Sequence, residues 1–410
     1  MEEFRKYTLD EISKGKGSYG IAASAVPFDS SLYTYLRITD INDDGSLNKS
    51  GLTSVDEDNA GNFLLKPNDI VFARTGNSTG RAYFYDGSDG ELVYAGFLIK
   101  FSLDESKINP RILKYYTHSK PYYDWVRSFD TGGTRGNINA KTYGNMPITL
   151  PSRATQDCIV EILKSLDDKI EVNRQINDNL EQQANALFKS WFVDFEPFKD
   201  GEFVESELGM IPKGWRVESL SSIADYINGL AMQKYRPEEG EKGLPVLKIK
   251  ELGQGGVDDN SELCSPSLIG EKYIINDGDI IFSWSGTLMV KIWCGGKCGL
   301  NQHLFNVVAK DYPNWFAYQW TRHHLDNFIR IAKDKAVTMG HIKRGELDKA
   351  KVVIPDSDNL TRIDALMEPI FNQIISNELE SRCLANLRDT LLPKLMSGEL
   401  KINEVEKAYE

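Results

Sequence analysis

An internal repeat limits what this 410-residue chain can fold into more than any other feature of its sequence. Residues 66–76 recur as residues 276–286, each with a turn, an aspartate, a short apolar run and a glycine. Residues 144–151 recur in the same way as residues 348–355. Similarity at a roughly constant spacing is typical of duplicated structural units. The sequence therefore predicts two diverged copies of one unit, with a few deletions in the loops of the second.

Each copy ends in a segment whose apolar residues recur in steps of four and three, the spacing of a heptad seam. The predicted seam of the first segment contains Ile159, Leu163, Leu166, Ile170, Leu180 and Leu187. That of the second contains Ile363, Met367, Ile370, Ile374, Leu384, Leu391 and Leu395. Polar residues interrupt both seams at matching places, namely Asn173 and Asn177 in the first and Asn377 and Ser381 in the second. Because polar seam positions fix register, we expect two helices of about 40 residues that pair as an antiparallel coiled coil.

The part of each copy before the long helix has short strand-like runs separated by turns rich in Gly, Asn and Asp. The predicted strands cover residues 70–73, 81–85, 98–101, 280–282, 291–293 and 305–308, and the helical stretches that follow cover 109–126 and 314–332. A glycine-rich loop precedes each long helix, at residues 131–138 and 336–342. We therefore predict a mixed α/β fold with two tandem α/β domains, residues 1–152 and 201–356. Helical spacers at residues 153–200 and 357–410 separate and follow them.

The net charge argues against a uniformly basic nucleic-acid binder. The chain has 60 Asp and Glu residues against 48 Lys and Arg, a net charge of −12. Since DNA affinity depends on neutralising phosphates with Lys and Arg, a DNA-binding chain of this composition must concentrate its basic residues in particular loops. The sequence has neither an apolar run long enough to span a membrane nor the apolar core of a secretion signal. Five scattered cysteines fit a reducing compartment, so we expect a cytoplasmic protein.

Motifs for other chemistry are weak. Residues 15–20 fit the G-x-G-x-x-G pattern of nucleotide-binding loops, but residues 9–14 before them are predicted as a helix and not as the required strand. Cys294 and Cys298, with His303 nearby, lack a fourth zinc ligand at a standard spacing. The Asn/Asp-Pro-Pro-aromatic motif of adenine methylases is excluded because the chain has no Pro-Pro pair. A nuclease-like match at residues 167–169 is better explained as an exposed helix face, so we expect no catalytic residues and no bound metal.

In its order of segments the chain resembles the specificity subunit of Type I restriction–modification systems. The resemblance rests on the duplication, on the Asp-Ile-(Val/Ile)-Phe segments at 69–72 and 279–282, on the Gly-Thr-Arg-Gly-Asn-Ile loop at 133–138, and on the helix end at 187–195. Residues 208–215 are also similar to the usual opening of that family's second target-recognition domain. The resemblance covers essentially the whole chain.

The resemblance implies a non-catalytic DNA-reading subunit. Each target-recognition domain would read one half of a split, asymmetric DNA sequence, and the helix pair would set the gap between the halves. Two modification (methyltransferase) subunits would dock on the helices and methylate adenine with S-adenosylmethionine. Restriction subunits would add ATP- and Mg-dependent translocation and cleavage, so that the chain itself would hold no cofactor. Surface reserved for these partners would accommodate the acidic residues.

Candidate DNA contacts follow from position in the repeat, because Arg and Lys pair with guanine and Asn with adenine. In the first copy they are Arg74, Thr75, Asn77, Arg81, Arg135, Asn137, Asn139 and Lys141. In the second copy they are Trp284, Ser285, Lys291, His303, Thr338, His341, Lys343 and Arg344. Two alternatives stay open at this point. One is a scaffold that carries two binding modules on a coiled-coil spacer and does not bind DNA, and the other is the specificity subunit of a system whose methylase and nuclease share one polypeptide.

Overall fold

The computed structural model describes residues 4–129, 136–258, 260–334 and 341–400. These residues belong to two compact units, the first within Met1–Asp168 and Ala385–Glu410 and the second within Lys169–Leu384. Among the described helices, none combines the length and the apolar character that crossing a bilayer requires.

The first unit opens with strands β1 (Arg5–Thr8), β2 (Ser18–Tyr19), β3 (Val26–Pro27), β4 (Tyr33–Leu36), β5 (Thr53–Val55), β6 (Asp69–Ala73), β7 (Ala82–Tyr85), β8 (Leu92–Tyr94) and β9 (Leu98–Ser102). Next come helices α1 (Ile112–Tyr116), α2 (Lys120–Arg127) and α3 (Ala140–Gly144), then strand β10 (Pro147–Leu150) and the long helix α4 (Arg153–Phe192). Single 3-10 turns lie at Ala60–Phe63 and Gly76–Ser78.

A four-stranded antiparallel sheet in the order β2-β9-β6-β7 is the centre of the first unit. Every residue of β6 is buried, which explains its continuous apolar run. One face of the sheet packs on the helices, where the ring of Phe72 stacks on that of Tyr143 with 4.8 Å between centroids. The other face meets a smaller sheet in the order β3-β5-β4-β8, in which β4 and β8 are parallel. Strands β1 and β10 pair beside the start of α4.

The strands of the second unit are β11 (Phe203–Ser206), β12 (Gly209–Pro212), β13 (Arg216–Ser219), β14 (Ala224–Asn228), β15 (Leu244–Leu247), β16 (Leu263–Cys264), β17 (Ile274–Ile275), β18 (Ile280–Ser283), β19 (Met289–Ile292), β20 (Cys298–Leu300), β21 (Leu304–Ala309) and β22 (Lys351–Ile354). Its helices are α5 (Leu220–Ile223), α6 (Ile249–Gln254), α7 (Asn314–His323), α8 (Leu325–Asp334), α9 (Gly345–Lys349) and the long helix α10 (Ser357–Ser397). Single 3-10 turns lie at Glu196–Phe198, Met232–Lys234 and Glu271–Tyr273.

The second unit repeats the topology of the first. Its main sheet has the order β14-β21-β18-β19, a parallel pair β15–β20 corresponds to β4–β8, and β13–β22 corresponds to β1–β10. The repeated turn has the same structure in both units. The Lys66 N–H donates to the Asp69 carboxylate at 2.9 Å, and the Asn276 N–H donates to the Asp279 carboxylate at 2.8 Å. The predicted mixed α/β fold with two tandem units is confirmed.

The two long helices contain 40 and 41 residues, and each contributes to both units. Within the second unit, the Asn173 side chain donates to the Glu380 carboxylate at 2.8 Å, while that of Asn177, one turn later on α4, donates to the Ile374 carbonyl at 3.1 Å. As the residue number increases along α4, the residue number of its partner on α10 decreases. The two helices therefore run antiparallel, as predicted. The predicted seam positions are buried or half-buried along both helices.

Three details of the predicted secondary structure are wrong. Residues 9–14 form a turn and not a helix, because the Leu9 N–H donates to the Met146 carbonyl and so extends the pairing of β1 with β10. The stretch at 109–126 is broken between α1 and α2 at Ser119, which is the extended N-cap residue of α2, and Pro121 lies in the first turn of that helix. The stretch at 314–332 is likewise divided, into α7 and α8.

Candidate nucleic-acid interface

In the first unit, the turn after β6 lies against the end of the glycine-rich loop. The Ile138 N–H donates to the Arg74 carbonyl at 3.0 Å, and the Thr79 hydroxyl donates to the Gly136 carbonyl at 3.0 Å. The Arg74 N–H donates in turn to the Phe97 carbonyl at 3.1 Å, in the turn before β9. These bonds assemble three loops into one surface. We call it surface 1 and define it by Tyr19, Arg74, Thr75, Asn77, Phe97, Asn137, Asn139 and Lys141.

Arg74 has the most informative environment on surface 1. Its guanidinium lies 5.1 Å from the ring centroid of Tyr19, and the Tyr19 hydroxyl accepts from the Ala140 N–H at 3.1 Å. The Arg74 Nε is buried and has no hydrogen-bond partner within the described part of the chain. Such an arginine is oriented by its aromatic neighbour and still has donors for a ligand. The Tyr19 and Phe97 side chains are 42% and 58% exposed, so aromatic faces are also available there.

Other predicted residues of the first copy have mixed roles. Asn77, Asn137 and Lys141 are exposed and Thr75 is half-buried. The Asn139 side chain accepts from the Thr142 N–H at 2.9 Å and caps α3, which positions the end of the loop. Arg81 is brought to a different place: its guanidinium donates to the Ile41 carbonyl at 3.0 Å and pairs with Asp43 at 2.6 Å. Arg135 lies outside the described residues.

The second unit builds an equivalent surface from different side chains. The Ile342 N–H donates to the Trp284 carbonyl at 3.2 Å, and Ser285 forms an antiparallel bridge with His341. The Trp284 indole N–H donates to the Asn228 side chain at 3.0 Å, and the Trp284 ring centroid lies 6.1 Å from that of His303. We call this surface 2 and define it by Asn228, Trp284, Ser285, His303, His341, Lys343 and Arg344.

Within surface 2, His303 Nδ1 is buried and has no hydrogen-bond partner among the residues that the structure describes. The Arg344 guanidinium donates to the Tyr226 carbonyl at 3.0 Å, whereas Lys343 is exposed. Lys291 is not brought to this surface. Its ammonium donates to the Gly253 carbonyl at 2.9 Å, and burial lowers its pKa. Thr338 lies outside the described residues.

Sequence reasoning missed Tyr19, Phe97 and Asn228. Tyr19 and Asn228 occupy equivalent places, since each is followed by a glycine that cannot carry a side chain. A Cβ on Gly20 would lie 2.1 Å from the Tyr94 carbonyl oxygen, and one on Gly229 would lie 2.2 Å from that of Asn301. The recurrence of these glycines was the signal in the sequence that could have located both residues.

Cys294 and Cys298, which could have suggested zinc, are buried free thiols whose pKa values burial raises to about 12. Within the described ranges, His, Cys, Asp and Glu side chains do not assemble in groups of three that could hold a metal ion.

Comparison with known proteins agrees with this architecture. The model of the Type I restriction modification DNA specificity domain matches twice, at residues 1–182 and 212–382. The MjaIX specificity subunit of Methanocaldococcus jannaschii is 30% identical over 303 residues, which are 72% of this chain and 69% of the relative. The HindI specificity subunit of Haemophilus influenzae is 23% identical over 402 residues, with 82% and 87% of the two chains covered.

The fold is also similar to the crystal structure of the Type I restriction–modification S subunit from M. genitalium. The TM-score is 0.50 at 16% identity, and 96% of each chain is covered. Two family domains on one chain, arranged as a structural repeat, match the duplicated sequence. The chain belongs to the family of DNA specificity subunits of Type I restriction–modification enzymes, and its role in such an enzyme is to select the DNA sequence while other subunits carry the catalysis.

Proposed function

We propose that surface 1 and surface 2 each read one half of a split DNA target. The observation that carries the proposal is the repeated pairing of Ile138 with Arg74 and of Ile342 with Trp284. The same backbone frame presents an arginine beside a tyrosine in one unit and a tryptophan beside histidines in the other. A shared frame with different exposed chemistry is what two readers of different half-sites require.

The chemistry of each surface suggests which contacts select bases. The Arg74 guanidinium can bond bidentately to guanine O6 and N7, and an exposed amide such as that of Asn137 suits adenine. The aromatic side chains of Phe97 and Trp284 offer apolar contact to thymine methyl groups or to an unstacked base. Lys141 and Lys343 are exposed cations that suit phosphates and would position the duplex without selecting sequence.

The helix pair is the proposed spacer and docking element. Asn177 and Asn377 hold its register through a side-chain hydrogen bond of 2.8 Å, and a fixed register would keep the spacing between the two half-sites constant. Two modification subunits and the restriction subunits would assemble on this chain. We propose that S-adenosylmethionine, ATP and Mg belong to those subunits and that this chain holds no cofactor.

The test measures DNA binding by the chain in complex with its modification subunits. Fluorescence anisotropy monitors the binding at salt concentrations between 50 and 200 mM. The proposal predicts an affinity that falls steeply with salt and drops by about 1–3 kcal/mol for Arg74→Ala and for Trp284→Ala. Arg216→Ala is the control, since Arg216 pairs with Glu218 at 2.7 Å and belongs to neither surface. Binding without salt dependence, or losses no larger than that of the control, would favour the scaffold hypothesis instead.

A further inference from the structure

The first unit contains a cavity of about 370 Å³ whose lining is rich in lysine. Three segments form its walls, at residues 14–18, 66–69 and 100–103. Lys14, Lys16, Lys66 and Lys100 all line it. In a chain with a net charge of −12, such a concentration is the charge segregation that binding a polyanion demands.

The one carboxylate among the lining residues, that of Asp69, is already compensated. Lys100 lies 3.4 Å from it, the Ser102 hydroxyl donates to it at 2.6 Å, and the Lys66 N–H donates at 2.9 Å. With its oxygens engaged and its charge balanced by Lys100, Asp69 does not occupy the other three lysines that line the cavity.

Those three lysines are free to exchange partners. Lys14 pairs with Glu105 and Lys16 with Asp10, each at 2.6 Å, and the lysine side chains are 50% and 83% exposed. Because solvent screens both lysines, an incoming phosphate can compete with the carboxylates for them, most easily at the Lys14–Glu105 pair, in which both side chains are exposed. Lys66 is exposed and forms no ion pair with any described residue.

The backbone of the cavity is held in place and leaves room for a ligand. The Lys14 N–H donates to the Ser102 carbonyl at 2.8 Å, and a Cβ on Gly17 would lie 2.5 Å from the Phe101 ring, so this loop lies tightly on the sheet. A Cβ on Gly15 would meet nothing within 4 Å. The segment therefore keeps a fixed position beside open space.

The second unit shows that the fold does not require these lysines. Ser18 pairs with Lys100 in the first unit, and Ile227 pairs with Asn306 at the same place in the second, so Asn306 is the equivalent of Lys100. The repeated turn likewise makes Asn276 the equivalent of Lys66. Lys16 then corresponds to Asp225. Three of the four cavity lysines therefore have no lysine at the equivalent positions of the second unit, which points to a ligand of the first unit.

We propose that this lysine cavity binds a phosphate of the DNA backbone beside the half-site held by surface 1, an inference that rests on the proposed function. Tyr19 of surface 1 follows Lys16 by three residues, about 10 Å of extended chain, so one duplex can reach both. The rim position of the exposed lysines also favours a polymer over a small enclosed anion.

The experiment compares the complex of chain and modification subunits with its Lys16→Gln/Lys66→Gln variant. Each phosphate contact contributes about −0.9 to the slope of log affinity against log salt. The variant should therefore have a slope about 0.9 shallower, and between 50 and 200 mM salt it should lose about threefold less affinity than the native complex. The change should be equal on target and unrelated DNA because phosphate contacts carry no sequence information. Lys66→Arg should retain the native slope.

Lys49→Gln/Lys120→Gln is the matched control, since both lysines are exposed and paired, with Asp89 and with Asp124. A slope that stays native in the Lys16→Gln/Lys66→Gln variant overturns the proposal while native binding still supports the proposed function. Calorimetry can also detect whether the native complex binds inorganic phosphate. If it does and the Lys16→Gln/Lys66→Gln variant does not, while the salt slope of DNA binding is unchanged, the cavity is a site for free phosphate and the proposal is overturned. Absence of salt-dependent binding in the native complex instead contradicts the proposed function itself, and this inference with it.

Discussion

Replacing Asn177 by Leu should expose how the helix pair is specified. Asn177 and Asn377 are 6% and 5% exposed, and the Asn377 side-chain amide donates to the side-chain oxygen Oδ1 of Asn177 at 2.8 Å. Asn177→Leu leaves the Asn377 N–H without this acceptor in a buried seam. An unpaired buried donor costs about 1–3 kcal/mol, and we expect the free energy of unfolding to fall by that amount.

The double variant Asn177→Leu/Asn377→Leu removes both polar groups of this pair and leaves Asn173 and Ser381 as the polar positions of the seam. Its free energy of unfolding should lie within about 1 kcal/mol of the native value, since the two partners are replaced together and Gln373, which also donates to Asn377, is exposed to water. Urea unfolding, monitored by circular dichroism at 222 nm, measures the free energy of unfolding of Asn177→Leu, of Asn377→Leu and of the double variant, which together form a double-mutant cycle. The reasoning predicts a coupling above about 1 kcal/mol between the two positions, and single effects that add within about 0.5 kcal/mol would refute it.

Further predictions concern the glycines and a half-buried histidine. Gly20→Ala and Gly229→Ala should each lower the free energy of unfolding by about 1–3 kcal/mol, because the added Cβ would lie 2.1 and 2.2 Å from backbone carbonyl oxygens. Thermal unfolding measures this loss. Gly345→Ala is the control and should change the stability little, because a Cβ there would meet nothing within 4 Å. Burial lowers the pKa of His324 to about 4 from an ordinary 6.5, and the imidazole Nε2 donates to the Lys351 carbonyl at 2.9 Å. Below pH 6.5 the unfolded state takes up a proton at this histidine while the folded state stays neutral, so the stability that the neutral imidazole contributes is fully present above pH 6.5 and is lost toward pH 4. Between pH 7 and pH 5, the free energy of unfolding of His324→Gln should therefore fall by about 2 kcal/mol less than that of the native chain, as measured by urea unfolding. Equal losses in the two chains would contradict this.

The long helices and several strands of the two main sheets follow from the sequence because their signals are local or repeated. The heptad spacing predicts α4 and α10, and the matching polar breaks, Asn173 and Asn177 in one and Asn377 and Ser381 in the other, predict that they pair. The turn at residues 9–14 could not be predicted in this way. Its backbone donor at Leu9 bonds to Met146, more than a hundred residues away, and that bond outweighs local helix propensity.

The candidate surfaces were only partly accessible to sequence reasoning. Arg74 and Trp284 follow from their places in the repeat. Tyr19 was signalled only by the recurring glycine that follows it, and Phe97 had no such signal, because a turn brings it to surface 1 from a distant segment. Arg81 and Lys291 show the converse: a basic residue near a predicted loop can instead donate to a neighbouring carbonyl.

The central claim is that the two units read two different half-sites, and the most direct test is the target of each variant. Methylated adenines can be mapped by sequencing DNA modified by the complex of chain and modification subunits. The account predicts that Arg74→Ala relaxes the sequence requirement in one half of the target and that Trp284→Ala relaxes it in the other half only. Relaxation of the same half by both variants, or of both halves by either one, would contradict it.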